Sequence, residues 1–264
     1  MEWRERDGVR WLEATMPGAR AAFSTRIGGV SQPPFDELNL GLFTADERGA
    51  VVENRRRLAG ALGFPPERVA IGRQMHGHEL ATHAGAQEPS PFADPGSPIP
   101  EVDGHLTALR DLPLLVFVAD CVPIALSGPG GVAMLHCGWR GMVAGDSASP
   151  GQAKRDTTAG LVARAAAAVG ATDAAIGPSI RPCCYEVGEA VLGAFAGLGH
   201  GIAAGRMLDL SEVARRLLLQ GGVERIETAR LCTSCEPELF FSHRRDASLT
   251  GRQAGVVWRD EEVG

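Results

Sequence analysis

The stretch LPLLVFVADCVPIALSGPGGVAMLHCGWRG, residues 112–141, is where the pattern of this chain speaks most plainly about its fold. Leu112 to Cys121 is a short apolar run with Asp111 before it and Pro123 after it, which predicts a buried strand. Gly131 to His136 reads as its partner, and Ser127-Gly128-Pro129-Gly130-Gly131 supplies the turn that would join them as a hairpin. Cys121 and His136 then stand at facing ends of that hairpin.

Working outward, Arg20 to Thr25 predicts a strand ending at the Gly28-Gly29 turn, and Asp46 to Leu62 a helix closed by Gly63 and Pro65-Pro66. Five prolines between Gln87 and Pro100 fit an exposed loop, equally readable as a lid. Ala159 to Val169 predicts an alanine-rich helix, Met207 to Leu219 an amphipathic one with Ser211 as its N-cap, and Ala254 to Trp258 a closing strand. Strands and helices alternate irregularly, so the expectation is α+β, a single domain over residues 1–264 with a layered mixed β-sheet and helices, in place of a doubly wound sheet.

The chain has 264 residues, 44% hydrophobic and 22% charged, which disfavours a disordered tail, a collagen-like fibre and a coiled coil. A net charge of -6 argues against a broad nucleic-acid footprint and for a small ligand. No apolar run reaches the roughly 18 residues of a membrane span. The start MEWRERDGVRW lacks the apolar centre of a signal peptide, so no membrane association and a cytoplasmic location are expected. The six cysteines are therefore expected to be reduced thiols, ligands or catalytic groups.

The chemistry-bearing cluster is Cys121 and His136 with His76 upstream. A thiolate and two imidazoles with one position left open make a catalytic zinc pattern, in which zinc acidifies bound water and polarises an attacked bond. Spacing alone leaves two other readings open: a buried small cysteine beside a hydrogen-bonded core histidine, and a metal-free dyad of Cys121 as nucleophile and His136 as base.

Several motifs occur together and in order: Phe23-Ser24-Thr25-Arg26-Ile27-Gly28-Gly29-Val30-Ser31, Leu38-Asn39-Leu40-Gly41, Gln74-Met75-His76-Gly77, Ala119-Asp120-Cys121-Val122-Pro123 and His136-Cys137-Gly138-Trp139-Arg140-Gly141. Ile176 to Ile180, Cys183 to Gly188, Phe240 to Asp246 and Thr250 to Gln253 continue them. This set resembles the bacterial YfiH-like family, labelled laccase-domain or polyphenol oxidase proteins and peptidoglycan editing factor, and more recently understood as purine nucleoside phosphorylases. The resemblance implies a single domain similar to the cysteine-hydrolase fold of a bacterial deamidating toxin, and a zinc ion held by His76, Cys121 and His136, which would also be the catalytic residues. It implies phosphorolysis of adenosine, inosine and methylthioadenosine to free base and sugar 1-phosphate, with deamination of adenosine. The partners expected are a purine nucleoside and phosphate, the chain acting as monomer or homodimer.

Within that frame Arg26 and Arg140 are expected at phosphate, since Lys154 is the only lysine, and Asn39 at ribose or, more simply, capping a turn. Residues 146–158 look like a surface insertion, Met75 stands where the family more often has valine, and His78 reads as a neighbour of the site. The pair Cys183-Cys184 with Cys232 and Cys235 is expected to pack, because adjacent cysteines have poor spacing for tetrahedral ligation. A peptidoglycan-precursor editing hydrolase, of the UDP-MurNAc-amino acid amidase type, is the alternative function. Copper-based polyphenol oxidation, with Cu2+ as the alternative ion, is weakened because multicopper oxidases use about ten histidines and this chain has seven.

Overall fold

Two stacked sheets organise the computed structural model, which describes residues 1–143, 157 and 160–260. The first sheet is antiparallel and runs in the order β1 (Glu2–Arg6), β2 (Val9–Met16), β3 (Ala19–Ser24), β13 (Gln253–Arg259), β6 (Leu114–Val118). The second has β12 (Arg225–Thr228), β9 (Asp173–Ile176), β7 (Val122–Gly128), β8 (Gly131–Cys137), β5 (Gly104–Thr107) and β4 (Leu80–His83), and is parallel only at its two outer pairs. A short ribbon joins β10 (Ala203–Ala204) and β11 (Met207–Leu208).

The period-2 alternation of each strand assigns its faces. Phe23, Val116 and Val257 of the first sheet meet Ala125, Met134 and Ala175 of the second, all buried. The opposite face of β7 and β8, with Ile124, Leu126 and Leu135, is covered by α2 (Leu161–Val169) and α4 (Leu210–Gln220). Leu115, Ala22 and Val256, on the outer face of the first sheet, lie under α1 (Arg48–Leu62). Strands buried on both faces carry near-continuous apolar runs, which is why β6 and β8 stood out in the sequence. Close approach needs glycine at two points: a Cβ on Gly177 would lie 2.3 Å from the Phe23 ring, and one on Gly255 2.3 Å from Met134. The result is one α+β fold with helix, sheet, sheet and helix layers.

The expected hairpin is redrawn. Leu112 to Cys121 does not pair with Gly131 to His136: β6 pairs with β13 in the first sheet, while the hairpin partner of β8 is β7. The chain crosses between sheets at Asp120, whose φ is 96°, a left-handed conformation that turns the backbone without a glycine or a gap in hydrophobicity. Pro123 does not end a strand. It is the second residue of β7, before the pairing with β9 begins at Ile124, where its missing N–H removes no ladder bond to that neighbour.

Other elements stand close to expectation. Gly63 ends α1 in the left-handed region at φ 88° and donates its N–H to Ala59. The N-cap of α4 is Asp209, which accepts the Glu212 N–H at 3.0 Å, whereas Ser211 is buried against the Ser179 hydroxyl at 2.8 Å. A short α3 (Glu189–Ala194) was not anticipated. Residues 87–100 have no regular structure, yet Phe92 is buried, which fastens the middle of that loop to the core. The expected insertion at 146–158 lies outside the described residues apart from Thr157. Among the described residues no helix is long and apolar enough to cross a membrane.

Candidate active site

The crossing at Asp120 places Cys121 at the mouth of the β7–β8 hairpin, and the register that sets Val122 against Cys137 and Pro123 against His136 brings the thiol and imidazole together. His76 arrives on a separate loop at φ 58°. One ligand atom each from His76, Cys121 and His136 lie within 4.8 Å of one another, and the two imidazoles stand edge to face with centroids 4.7 Å apart.

Asp103, a residue the sequence reading missed, holds this set in place. Its carboxylate accepts the backbone N–H groups of Met75, His76 and Gly77 at 3.0, 2.9 and 2.8 Å, and stands 2.7 Å from His136 Nδ1. One carboxylate thus fixes both the strained loop of His76 and the ring orientation of His136, leaving Nε2 to face Cys121. Burial would raise the Asp103 carboxyl, but His136 and these N–H groups hold it below the ordinary value. An Asp before a Gly in a polar loop reads as a turn residue, so no sequence signal marked it.

Burial alone would also raise the Cys121 thiol, yet the His136 charge and hydrogen bonds from His136 and His76 hold it down to about 6. Burial likewise works against the His136 charge and is outweighed by Cys121 and Asp103, which push it up to about 9. In the metal-free chain these groups therefore form a thiolate–imidazolium pair between roughly pH 6 and 9. The thiolate is lost as pH falls through the lower value. Iodoacetamide alkylation of Cys121 in chelated protein, followed by peptide mass spectrometry, is expected to show a midpoint near pH 6. A midpoint at the ordinary thiol value, about 8.5, would show that the pair does not form.

The donor set fits a metal ion. A neutral imidazole and a thiolate are the forms that ligate, the thiolate is already favoured, and Gly138 leaves space beside His76 and Cys121, where a Cβ would lie 3.0 and 3.5 Å from them. Asp103→Asn is expected to weaken the binding of added zinc 10- to 100-fold, read by competition with a chromophoric chelator, because the carboxylate charge and one of the two oxygens that accept from His136 and the His76 loop are lost. Unchanged affinity would remove Asp103 from the site.

All three groups open onto a cavity of about 540 Å³, a size that suits a small molecule. Phe43, Phe117, Trp139 and Tyr185 supply apolar and aromatic walls, and Arg55, Arg73, Arg244 and Arg252 supply cations. Arg55 is 2% exposed and lies between the rings of Phe92 and Phe117, 5.1 and 4.9 Å away. It donates to the carbonyls of Leu40, Pro91 and Phe92, and burial drives its pKa down to about 9. Among the described residues no carboxylate forms an ion pair with Arg55, and a buried cation without a counter-ion is costly unless an anion completes it. Arg252 is half-buried, with Cys121 and Asp120 as the negative charges that favour its cationic form.

The other sequence candidates sit elsewhere. Arg26 does not line the cavity: it bonds the Pro237 carbonyl at 3.0 Å, pairs with Asp36 at 3.2 Å and stacks on Phe241. Arg140 is exposed, 4.8 Å over Trp139, and does not line the cavity either. Asn39 is buried and acts through others, donating to Thr44 and Asp46 and accepting the N–H groups of Gly41 and Arg252, which shapes the wall. His78 lies 3.7 Å from Glu79, away from the cavity. Asp120 accepts the Thr233 hydroxyl and the Arg244 N–H, both at 2.7 Å.

A family model described as multi-copper polyphenol oxidoreductase laccase matches residues 20–260. The chain belongs to this YfiH-like, laccase-domain family. Among its relatives, a Geobacillus stearothermophilus protein named purine nucleoside phosphorylase YlmD is 37% identical, over 96% of this chain and 95% of its own length. The Escherichia coli K12 protein named purine nucleoside phosphorylase YfiH is 35% identical over 91% of this chain and 94% of its own. The crystal structure of YlmD from Geobacillus stearothermophilus superposes with a TM-score of 0.83 at 35% identity, covering 98% of both chains.

Proposed function

We propose that this chain is a zinc-dependent purine nucleoside phosphorylase, cleaving adenosine, inosine and methylthioadenosine with phosphate to free base and ribose or methylthioribose 1-phosphate, with deamination of adenosine as an accompanying activity. The observation that carries this reading is the meeting, in one cavity, of the His76, Cys121 and His136 set with Arg55 and Arg252, neither of which is ion-paired to a carboxylate among the described residues. The names of the relatives point the same way.

Arg55 and Arg252 hold phosphate, stripped of water, on the side of the sugar opposite the base. A phosphate oxygen forms the bond to the anomeric carbon while the bond from that carbon to the purine nitrogen breaks, and the electron pair leaves with the base, which takes up a proton. The Tyr185 and Phe43 rings offer faces for the purine. His76, Cys121 and His136 would hold a metal whose chemistry, when bound, is Lewis acidity and acidification of water. Asp103 keeps His136 in the tautomer that presents Nε2 to that position.

A second reading has its own observation. Cys121, His136 and Asp103 stand in the order nucleophile, base and orienting carboxylate, the constellation of a thiol hydrolase acting on a peptidoglycan precursor. Incubating zinc-loaded protein with inosine or adenosine, with and without phosphate, separates the two. Base and sugar 1-phosphate forming only with phosphate is the expected result. Equal base release without phosphate, giving free ribose, or amino acid release from the muropeptide precursor alone, would replace the phosphorylase with a hydrolase.

A further inference from the structure

We propose that Cys183, Cys184, Cys232 and Cys235 form a second metal site, binding one zinc ion through four thiolates and fastening one wall of the active-site cavity. The strands β9 and β12 are parallel neighbours, so the loops that follow them leave the sheet at the same end. Ser179 and Cys232 bridge these loops, with the Thr233 N–H on the Ser179 carbonyl at 3.1 Å. The first loop then turns through Arg181, whose carbonyl accepts the N–H groups of Cys184 and Tyr185, and this turn aims both adjacent cysteines at the second loop.

The four sulfurs lie within 4.8 Å of one another, and Cys235 Sγ is 3.4 Å from both Cys183 Sγ and Cys184 Sγ. That is well beyond the roughly 2.05 Å of a disulfide. It is close to the edge of a tetrahedron with zinc–sulfur bonds of about 2.3 Å, roughly 3.8 Å. The Cys-x-x-Cys loop suits a metal-bound thiolate: the Cys232 carbonyl accepts the Cys235 and Glu236 N–H groups at 3.1 Å, which curls the loop, and the Arg181 N–H points at the Cys232 sulfur at 3.4 Å. Arg245, itself paired with Asp246, donates to the Thr233 carbonyl at 2.9 Å and so braces the loop that carries Cys232 and Cys235. Packing, the expectation for these residues, accounts for the buried Cys232 but not for Cys183 and Cys235, which are exposed.

The cluster is tied to the cavity at two places. Ile180 and Tyr185 flank the adjacent pair and line the cavity, and Thr233 holds Asp120, the neighbour of Cys121. A zinc ion here would fix those positions by cross-linking the loops that carry them, as closed four-coordinate sites do. The site does not depend on whether Cys121 binds metal.

The test uses the full chain carrying His76→Ala and Cys121→Ser, purified in zinc-supplemented buffer, so that only the cysteine cluster can bind tightly. Elemental analysis is expected to find about one zinc per chain, removed when Cys232→Ser and Cys235→Ser are added. Because the combined variant can lose its fold, the chain with the cluster intact is also reconstituted with cobalt(II), where the intense absorption of a tetrahedral four-thiolate complex is expected. A chain that binds neither ion and presents four freely titrating thiols would overturn the proposal. So would a Cys183–Cys235 or Cys184–Cys235 disulfide, found by mass spectrometry in protein isolated under reducing conditions. Zinc in this variant alongside a failure of phosphorolysis in the wild type would sink the phosphorylase and leave the cluster standing.

Discussion

Cys121→Ser should lower kcat by on the order of 10³-fold or more while leaving the fold intact. Serine is nearly isosteric and the Cys121 side chain is only half-buried, so the β7–β8 register and Asp103 contacts survive and Tm should barely move. What disappears is the thiolate. Its charge is favoured in place by His136 and His76, and a neutral hydroxyl is neither a comparable ligand nor a comparable nucleophile at pH 7. Loss of one donor from three in an open site should also empty it of metal. Measured together, kcat and metal content decide the role: loss of both marks a ligand, and loss of turnover with metal retained marks a nucleophile. Activity unchanged in a folded variant would remove Cys121 from the mechanism under either reading.

Arg55→Lys and Arg252→Lys should each raise the KM for phosphate roughly 10- to 150-fold, the equivalent of about 1.5–3 kcal/mol for a hydrogen bond to a charged group. Both substitutions lose the planar fork, and at Arg55, where burial already pulls the guanidinium down to about 9, a lysine gives up charge as well. Arg55 Nε and Nη1 are already engaged by the carbonyls of Leu40, Pro91 and Phe92, which orients the guanidinium. The Nη1 of Arg252 is held by the carbonyls of Thr250 and Gly251. A lysine ammonium cannot reproduce that bracing, so Tm and the KM for nucleoside are measured alongside. A shift confined to phosphate places the anion at these residues, while a common fall in stability and both constants reports only packing. The matching substitution Arg26→Lys should leave the phosphate KM unchanged, since Asp36 and Phe241 already occupy that guanidinium.

Those arginines show where reading the chain stopped. Arg26 stood in a glycine-rich turn, the sort of place that meets phosphate, and Arg55 stood in a run of three arginines on a helix, the sort of place that meets water. In the structure Arg26 lies off the cavity and Arg55 lines it, because the decisive neighbours are remote in sequence. Asp36 comes to Arg26 through the turn around Phe35, and Phe92, from a loop, and Phe117, from β6, close over Arg55 from far along the chain.

By itself the sequence determined the elements whose causes are local: the apolar runs of β6 and β8, the glycine that stops α1, the closing strand β13, and through its ordered motifs the family and the trio His76, Cys121 and His136. Only the tertiary structure decided that the long apolar run crosses between sheets at Asp120, that Asp103 braces the His76 loop and the His136 ring at once, and that four cysteines from two loops meet. Apolar periodicity reports burial, which is a property of each residue. Pairing of charges, ligands and strands is a property of distance in space, and distance is set when the two sheets stack.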